Sequence, residues 1–124
     1  MRSWNPLKPS MHKSDLVRLR HMHDACLEAL SFVKGKSRSH LNDDRMLVLS
    51  LVKCIEIVGE AASRVSDDMK SKHSGIPWRE ITGMRNRLIH AYFDVDLDVV
   101  WETVTGELPG LVKRIEPIVP TAGC

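Results

Sequence analysis

Aromatic side chains are scarce in this chain: 5% of 124 residues, as three Trp, two Phe and one Tyr. A core built almost without them must come from Leu, Ile, Val, Met and Ala, a mix that leans towards helices. No Val- or Ile-rich run alternates with polar residues as a strand would, and neither repeats nor low-complexity tracts occur. The apolar runs fall far short of a membrane span, so no membrane partner is expected. Cysteine is limited to Cys26, Cys54 and Cys124. An odd count without close pairing argues against a disulfide framework. Cys26 and Cys54 lie in helical patterns, where a free thiol is a small buried hydrophobe; Cys124 is expected to be exposed. No leader pattern opens the sequence, because Arg2 is followed by Ser3, Trp4, Asn5 and Pro6 rather than an apolar run. A cytoplasmic location is the expectation.

Charge of one sign is also lacking overall, the net being +2. The distribution is uneven. Residues 1–40 carry eight Lys/Arg against three Asp/Glu, and residues 94–116 carry six acids against Lys113 and Arg114. A basic end and an acidic end suit the steering of a polyanion or a partner, or are simply two solvated faces. No metal centre and no cofactor are expected. His23 and Cys26 share a helix face close to His21, but no second ligand pair of suitable spacing accompanies them.

With 43% apolar residues, the chain makes one domain with a single core. Residues 1–13, with Pro6 and Pro9, read as a flexible tail, residues 14–119 as the helical domain and 120–124 as a C-terminal tail. Ser14 is a candidate N-cap with Asp15 in the first turn. Leu16, Leu19, Cys26, Leu27, Leu30 and Val33 then keep helical spacing to about Lys34, where Gly35 ends the helix. A polar loop from Lys36 to His40 leads to a second helix starting near Asn42 or Asp43. Its segment 46–59 is apolar around much of its circumference, which places it centrally or in a dimer interface. Residues 66–75 read as a loop. Pro77 suits the first turn of a third helix from Trp78 to His90 or Tyr92, with a break near Gly83. Asp96 caps a fourth, with Val99, Val100, Val104 and Leu108 as its apolar face. Pro109 and Gly110 interrupt it, and a last segment closes with Leu111, Ile115 and Ile118. Trp78 and Trp101 are expected as core or interface anchors. The fold class is all-α, an up-and-down bundle of four to five helices.

The stretch Arg85-Asn86-Arg87-Leu88-Ile89-His90-Ala91-Tyr92 concentrates chemistry. A guanidinium grips phosphate in a fixed fork, and an imidazole moves protons near neutral pH. Together they suffice to cut RNA without a metal. Spacing alone is weak: Arg18 and His23 repeat it, though Leu19 rather than a polar residue follows that arginine. On an ideal helix, positions five apart differ by about 140°, so Arg85 and His90 point to different faces while Arg85 and Tyr92 share one. A long arginine can swing towards His90, or a two-fold axis can bring both pairs into one cleft. Glu60 is a candidate partner for Arg85 or Arg87.

Flanking residues sharpen the reading. The run Ile76 to Phe93, with Ile55-Glu56-Ile57-Val58-Gly59-Glu60-Ala61-Ala62 before it and Val95 to Val104 after it, resembles the HepT family within the HEPN superfamily. The three segments stand in the right order, and the likeness spans about residues 15–118. The superfamily signature is an arginine followed by a polar residue and, four to six residues on, a histidine; Arg85, Asn86 and His90 fill it. The Tyr that this family places two residues after the histidine is matched by Tyr92. Ala91 stands where glycine is common.

This resemblance implies a dimeric helical bundle and a metal-independent ribonuclease acting as the toxin of a type VII-like toxin–antitoxin pair. The implied partner is an MNT-type nucleotidyltransferase that silences the toxin by attaching AMP to Tyr92. In that frame His90 takes the proton of an RNA 2′-OH, Arg85 stabilises the phosphate, and Asn86 holds the phosphate or orients His90. Arg87 and Glu60 are supporting residues. Two alternatives belong to other classes: a non-catalytic subunit presenting nucleotide or substrate to a nucleotidyltransferase, and a structural dimerisation module.

Overall fold

The structure, a computed structural model, describes residues 13–89 and 94–119. All elements among them are helical, apart from one isolated antiparallel bridge between Ile89 and Val95. Helix α1 spans Lys13–Val33 and α3 spans Arg45–Ser63. These two long helices pack against each other and form the centre of the bundle. Leu19, Met22 and Cys26 of α1 meet Leu51, Ile55 and Val58 of α3 in a core from which water is excluded. The expected four or five helices resolve into these two long ones and a series of short ones.

Helix α1 already includes Ser14, so that residue is not the N-cap. Asp15 has a different task. It is 2% exposed, and its carboxylate accepts hydrogen bonds from Ser66 N at 2.8 Å and Ser66 Oγ at 2.7 Å. The start of α1 is thereby tied to the turn that follows α3. Gly35 ends α1 as expected, at φ +75°, where a side chain would be strained. The polar loop after it is shorter than predicted, because α2 occupies His40–Asp43. Asp44 caps α3, its Oδ1 accepting from Leu47 N at 3.0 Å.

The segment 66–75 is not all loop. Helix α4 runs Asp67–Lys72. Ser66 caps it by accepting from Met69 N at 3.2 Å, with Asp67 and Asp68 at its start and Lys70 and Lys72 at its end. Those charges suit the helix dipole. A single buried residue, Met69, anchors it, too little for periodicity to reveal.

The predicted third helix is divided at Gly83 into α5 (Trp78–Thr82) and α6 (Met84–Leu88). It stops at Leu88 rather than at His90 or Tyr92. Ile89 is extended, at φ −119° and ψ 118°, and Asp96 N donates to Leu88 O at 2.7 Å. Pairing of Ile89 with Val95 takes the place of a further helical turn. The helix that carries Arg85 thus ends at Leu88, and Tyr92 lies outside the described residues.

Helix α7 spans Leu97–Glu102, capped by Asp96 as expected, with Oδ1 accepting from Val99 N at 3.1 Å. Pro109 and Gly110 do not interrupt the helical run beyond it. A π-helical turn over Thr103–Glu107 joins α7 directly to α8, Leu108–Ile115. A proline cannot donate to the carbonyl four residues back and crowds it; the wider turn just before Pro109 makes room. Val100, Val104, Leu108 and Ile115 stay on one buried stripe throughout. Trp78 and Trp101 are half-buried against the core, and Trp78 Nε1 donates to His73 O at 3.1 Å. Most of segment 46–59 is buried within the single chain; Met46 and Leu49 remain exposed at 80% and 49%. No described helix is long and apolar enough to cross a membrane.

Candidate active site

The site is built where α5 and α6 lie across the second half of α3. Gly59 permits that approach. A Cβ at this position would stand 3.2 Å from Ile81 O and 3.4 Å from Thr82 O, tighter than ordinary contact for the first. The end of α5 therefore rests on bare backbone, and α6 starts at a fixed height above α3. Gly59→Val is expected to cost about 1–3 kcal/mol by overpacking and to lower activity by displacing α6. Gly59→Ala is expected to be near neutral, because alanine's gain in helix propensity offsets a few tenths of an ångström of adjustment. Chemical denaturation of the two variants checks this; equal stability for Val and wild type would refute the close-approach argument.

Seated on α6, Arg85 reaches back to α3. Its Nε donates to Glu56 Oε2 at 2.8 Å, with Arg85 half-exposed. Glu56 thus takes the role expected of Glu60. Glu60 instead accepts from Arg64 Nε at 2.8 Å, one turn further along. Arg87 turns away from both and forms a two-pronged pair with Glu107, at 3.1 and 3.3 Å. This pair links α6 to the π-helical segment Thr103–Glu107. Asn86 follows Arg85 into the same wall.

Arg85, Asn86, Glu56, Glu60 and Arg64 line an open cleft of about 490 Å³. One wall carries Arg85, Asn86 and Thr82. Ile57, Gly59, Ala61 and Ser63 form the floor, with Glu56, Glu60 and Arg64. Lys53 of α3, and Arg18 and His21 of α1, complete the lining. Arg18, followed by Leu19 rather than by the polar residue of the motif, nevertheless lines the same cleft as Lys53 and Arg85. Of the expected site residues, Arg85, Asn86 and Glu60 are brought together and Arg87 is not. His90 and Tyr92 lie outside the described residues. His90 follows Ile89 directly in the chain, and Ile89 is pinned by its bridge to Val95.

The three residues weighed as metal ligands diverge. His21 lines the cleft, His23 Nε2 bonds Glu116 Oε2 at 3.1 Å, and Cys26 is buried in the core. Burial pushes the Cys26 thiol up to about 12, aided by the nearby Cys54. Cys54 is raised to about 11 by burial and then by Glu28, the carboxylate its Sγ approaches at 3.7 Å. Thiols held so far above neutrality are protonated and unreactive, as expected of buried cysteines.

Fold and cleft together define an all-α protein with an arginine-bearing groove whose lining carries more basic than acidic side chains. The chain belongs to the Ribonuclease HepT-like family, whose model matches residues 22–118. It is 39% identical over 100 residues to a Caldanaerobacter subterraneus protein named "Putative RNase", a match covering 81% of this chain and 89% of that one. A Thermococcus cleftensis protein named "Probable ribonuclease HepT" is 41% identical over 75 residues, 60% of this chain and 68% of the relative. A Methanocaldococcus jannaschii protein, again named "Putative RNase", is 35% identical over 92 residues, 74% and 76% of the two chains. No solved structure matches the chain.

Proposed function

We propose that this protein is a metal-independent endoribonuclease that works as a homodimer and as the toxin of a toxin–antitoxin pair. The observation that carries the reading is Arg85, held in the cleft wall by Glu56 with Asn86 beside it, in a chain of the HepT-like ribonuclease family. RNA brings its own nucleophile. His90 removes the 2′-OH proton, and the 2′ oxygen attacks the adjacent phosphorus. The bond to the 5′ oxygen breaks, leaving a 2′,3′-cyclic phosphate and, after proton transfer to the leaving oxygen, a 5′-OH. Negative charge grows on the phosphoryl oxygens, where Arg85 and Asn86 donate. Because no activated water is required, the reaction does not call on the metal-bound hydroxide of hydrolytic nucleases.

A dimer is supported by the exposed Met46 and Leu49, a turn apart on the outer face of α3. The nucleotidyltransferase partner and Tyr92 as the acceptor of AMP follow from the family likeness and the position of Tyr92 two residues after His90.

The test incubates the purified chain with single-stranded RNA in EDTA. Cleavage leaving cyclic phosphate ends, by protein that sediments as a dimer at micromolar concentration, is the expected outcome. Intact RNA, or cleavage that requires added divalent cation, would overturn the metal-independent mechanism. A monomer in the same run would overturn the dimer.

A further inference from the structure

Arg18, His21 and Lys53 line the cleft without a role in the chemistry above. Both carboxylates of the cleft are engaged, Glu56 by Arg85 and Glu60 by Arg64, each at 2.8 Å. Arg18 and Lys53 have no carboxylate partner among the described residues. Arg18 is also only partly exposed. A guanidinium partly withdrawn from water without a counter-charge is unfavourable until an anion supplies one. His21, three residues after Arg18 on the same face of α1, adds a group that can hydrogen-bond a phosphate or a ribose hydroxyl.

We propose that Arg18 and Lys53, with His21 beside them, form a second phosphate subsite that binds the RNA backbone next to the phosphate held by Arg85. The inference rests on the ribonuclease reading and deepens it. The cleft volume of about 490 Å³ suits a nucleotide-sized segment, and basic residues brought to one cleft from α1, α3 and α6 suit a phosphate-bearing strand. The subsite draws Arg18 and His21 from α1, just before the stretch matched by the family model, and Lys53 from α3 within it. Its task is to position: it grips a phosphate that does not react, leaving Arg85 to the one that does.

The test uses the full chain with Arg18→Ala and Lys53→Ala combined. A charge-matched control combines Arg20→Ala with Lys113→Ala, which do not line the cleft. The binding probe is a single-stranded 2′-O-methyl RNA, which keeps the phosphates but cannot be cut through its 2′ oxygen. Loss of two phosphate contacts should weaken binding about tenfold and flatten the slope of log affinity against log salt by roughly 1.4. The control should lose much less. With cleavable RNA, KM should rise more than kcat falls. Affinity and salt slope equal to wild type would overturn the subsite while cleavage by wild type keeps the ribonuclease reading. An equal loss in the control would also overturn it, by reducing the effect to overall charge. Conversion of the double variant to a monomer in sedimentation would assign these residues to contact between copies instead. Wild type that neither binds nor cuts RNA would overturn the ribonuclease reading and the subsite with it.

Discussion

Arg85→Ala is expected to lower RNA cleavage by roughly 10²–10³-fold, the loss typical of removing one preorganised donor to a developing oxyanion. Stability should hardly change. The Arg85–Glu56 pair is about half-exposed on the arginine and a third exposed on the glutamate, and such pairs contribute about 0–1 kcal/mol. His90→Ala should cost a comparable or larger factor, about 10²–10⁴, because a general base acts only in the transition state. Arg85→Lys retains a cation but not the fork that engages carboxylate and phosphate together, so it should recover only part of the activity. Single-turnover cleavage assays, run beside thermal melts, separate chemistry from folding. Cleavage by His90→Ala at the wild-type rate would remove the base assignment. Full activity in Arg85→Ala would remove the phosphate assignment.

Glu56 gives that prediction a second edge. It holds Arg85 in place through Nε alone, so the other N–H donors of the guanidinium are available to a phosphate and the arginine can serve both from one position. The identity of this carboxylate was not legible in the sequence. Glu56 and Glu60 lie one helical turn apart on α3, and both are free to face α6. Which one meets Arg85 depends on how far along α3 the end of α5 settles, and Gly59 fixes that by leaving bare backbone under Ile81 and Thr82.

Other features divide along the same line. The long helices α1 and α3 were legible because a wide apolar face repeats over five turns. The cap at Asp96 was legible as a short acceptor side chain at the start of its pattern, whereas α3 starts behind Asp44 rather than near Asn42 or Asp43, because α2 occupies His40–Asp43. Helix α4 escaped because one buried methionine carries no period. The passage through Pro109 escaped because a widened turn changes the period just where the proline would break an ordinary helix. Arg18 and His21 are more than sixty residues from Arg85 in the chain, and only the packing of α1 on α3 sets them in one cleft. The motif residues Arg85 and Asn86 were named from sequence and do line that cleft; how His90 meets them lies outside the described residues.

Tyr92 is expected to behave as a regulatory switch and not as a catalytic group. An unperturbed tyrosine has a pKa near roughly 10, so at neutral pH it is a phenol and a poor base. Tyr92→Phe should therefore keep ribonuclease activity close to wild type. As an acceptor the phenol is different. Its oxygen can attack the α-phosphorus of ATP on a nucleotidyltransferase, losing its proton as pyrophosphate departs, and an AMP phosphodiester remains. That group brings a negative charge and a nucleotide's bulk to a position two residues from His90. Both oppose the entry of RNA into a cleft whose attraction for it is cationic. Incubation with an MNT-type nucleotidyltransferase and Mg-ATP should add an AMP-sized mass to wild type and suppress its cleavage by at least tenfold. Tyr92→Phe should gain no mass and should go on cutting RNA in the partner's presence. Intact-protein mass spectrometry read beside the cleavage assay decides it: an AMP-sized gain that persists in Tyr92→Phe would place the switch on another residue, and modified wild type that still cuts at full rate would leave Tyr92 without a regulatory role.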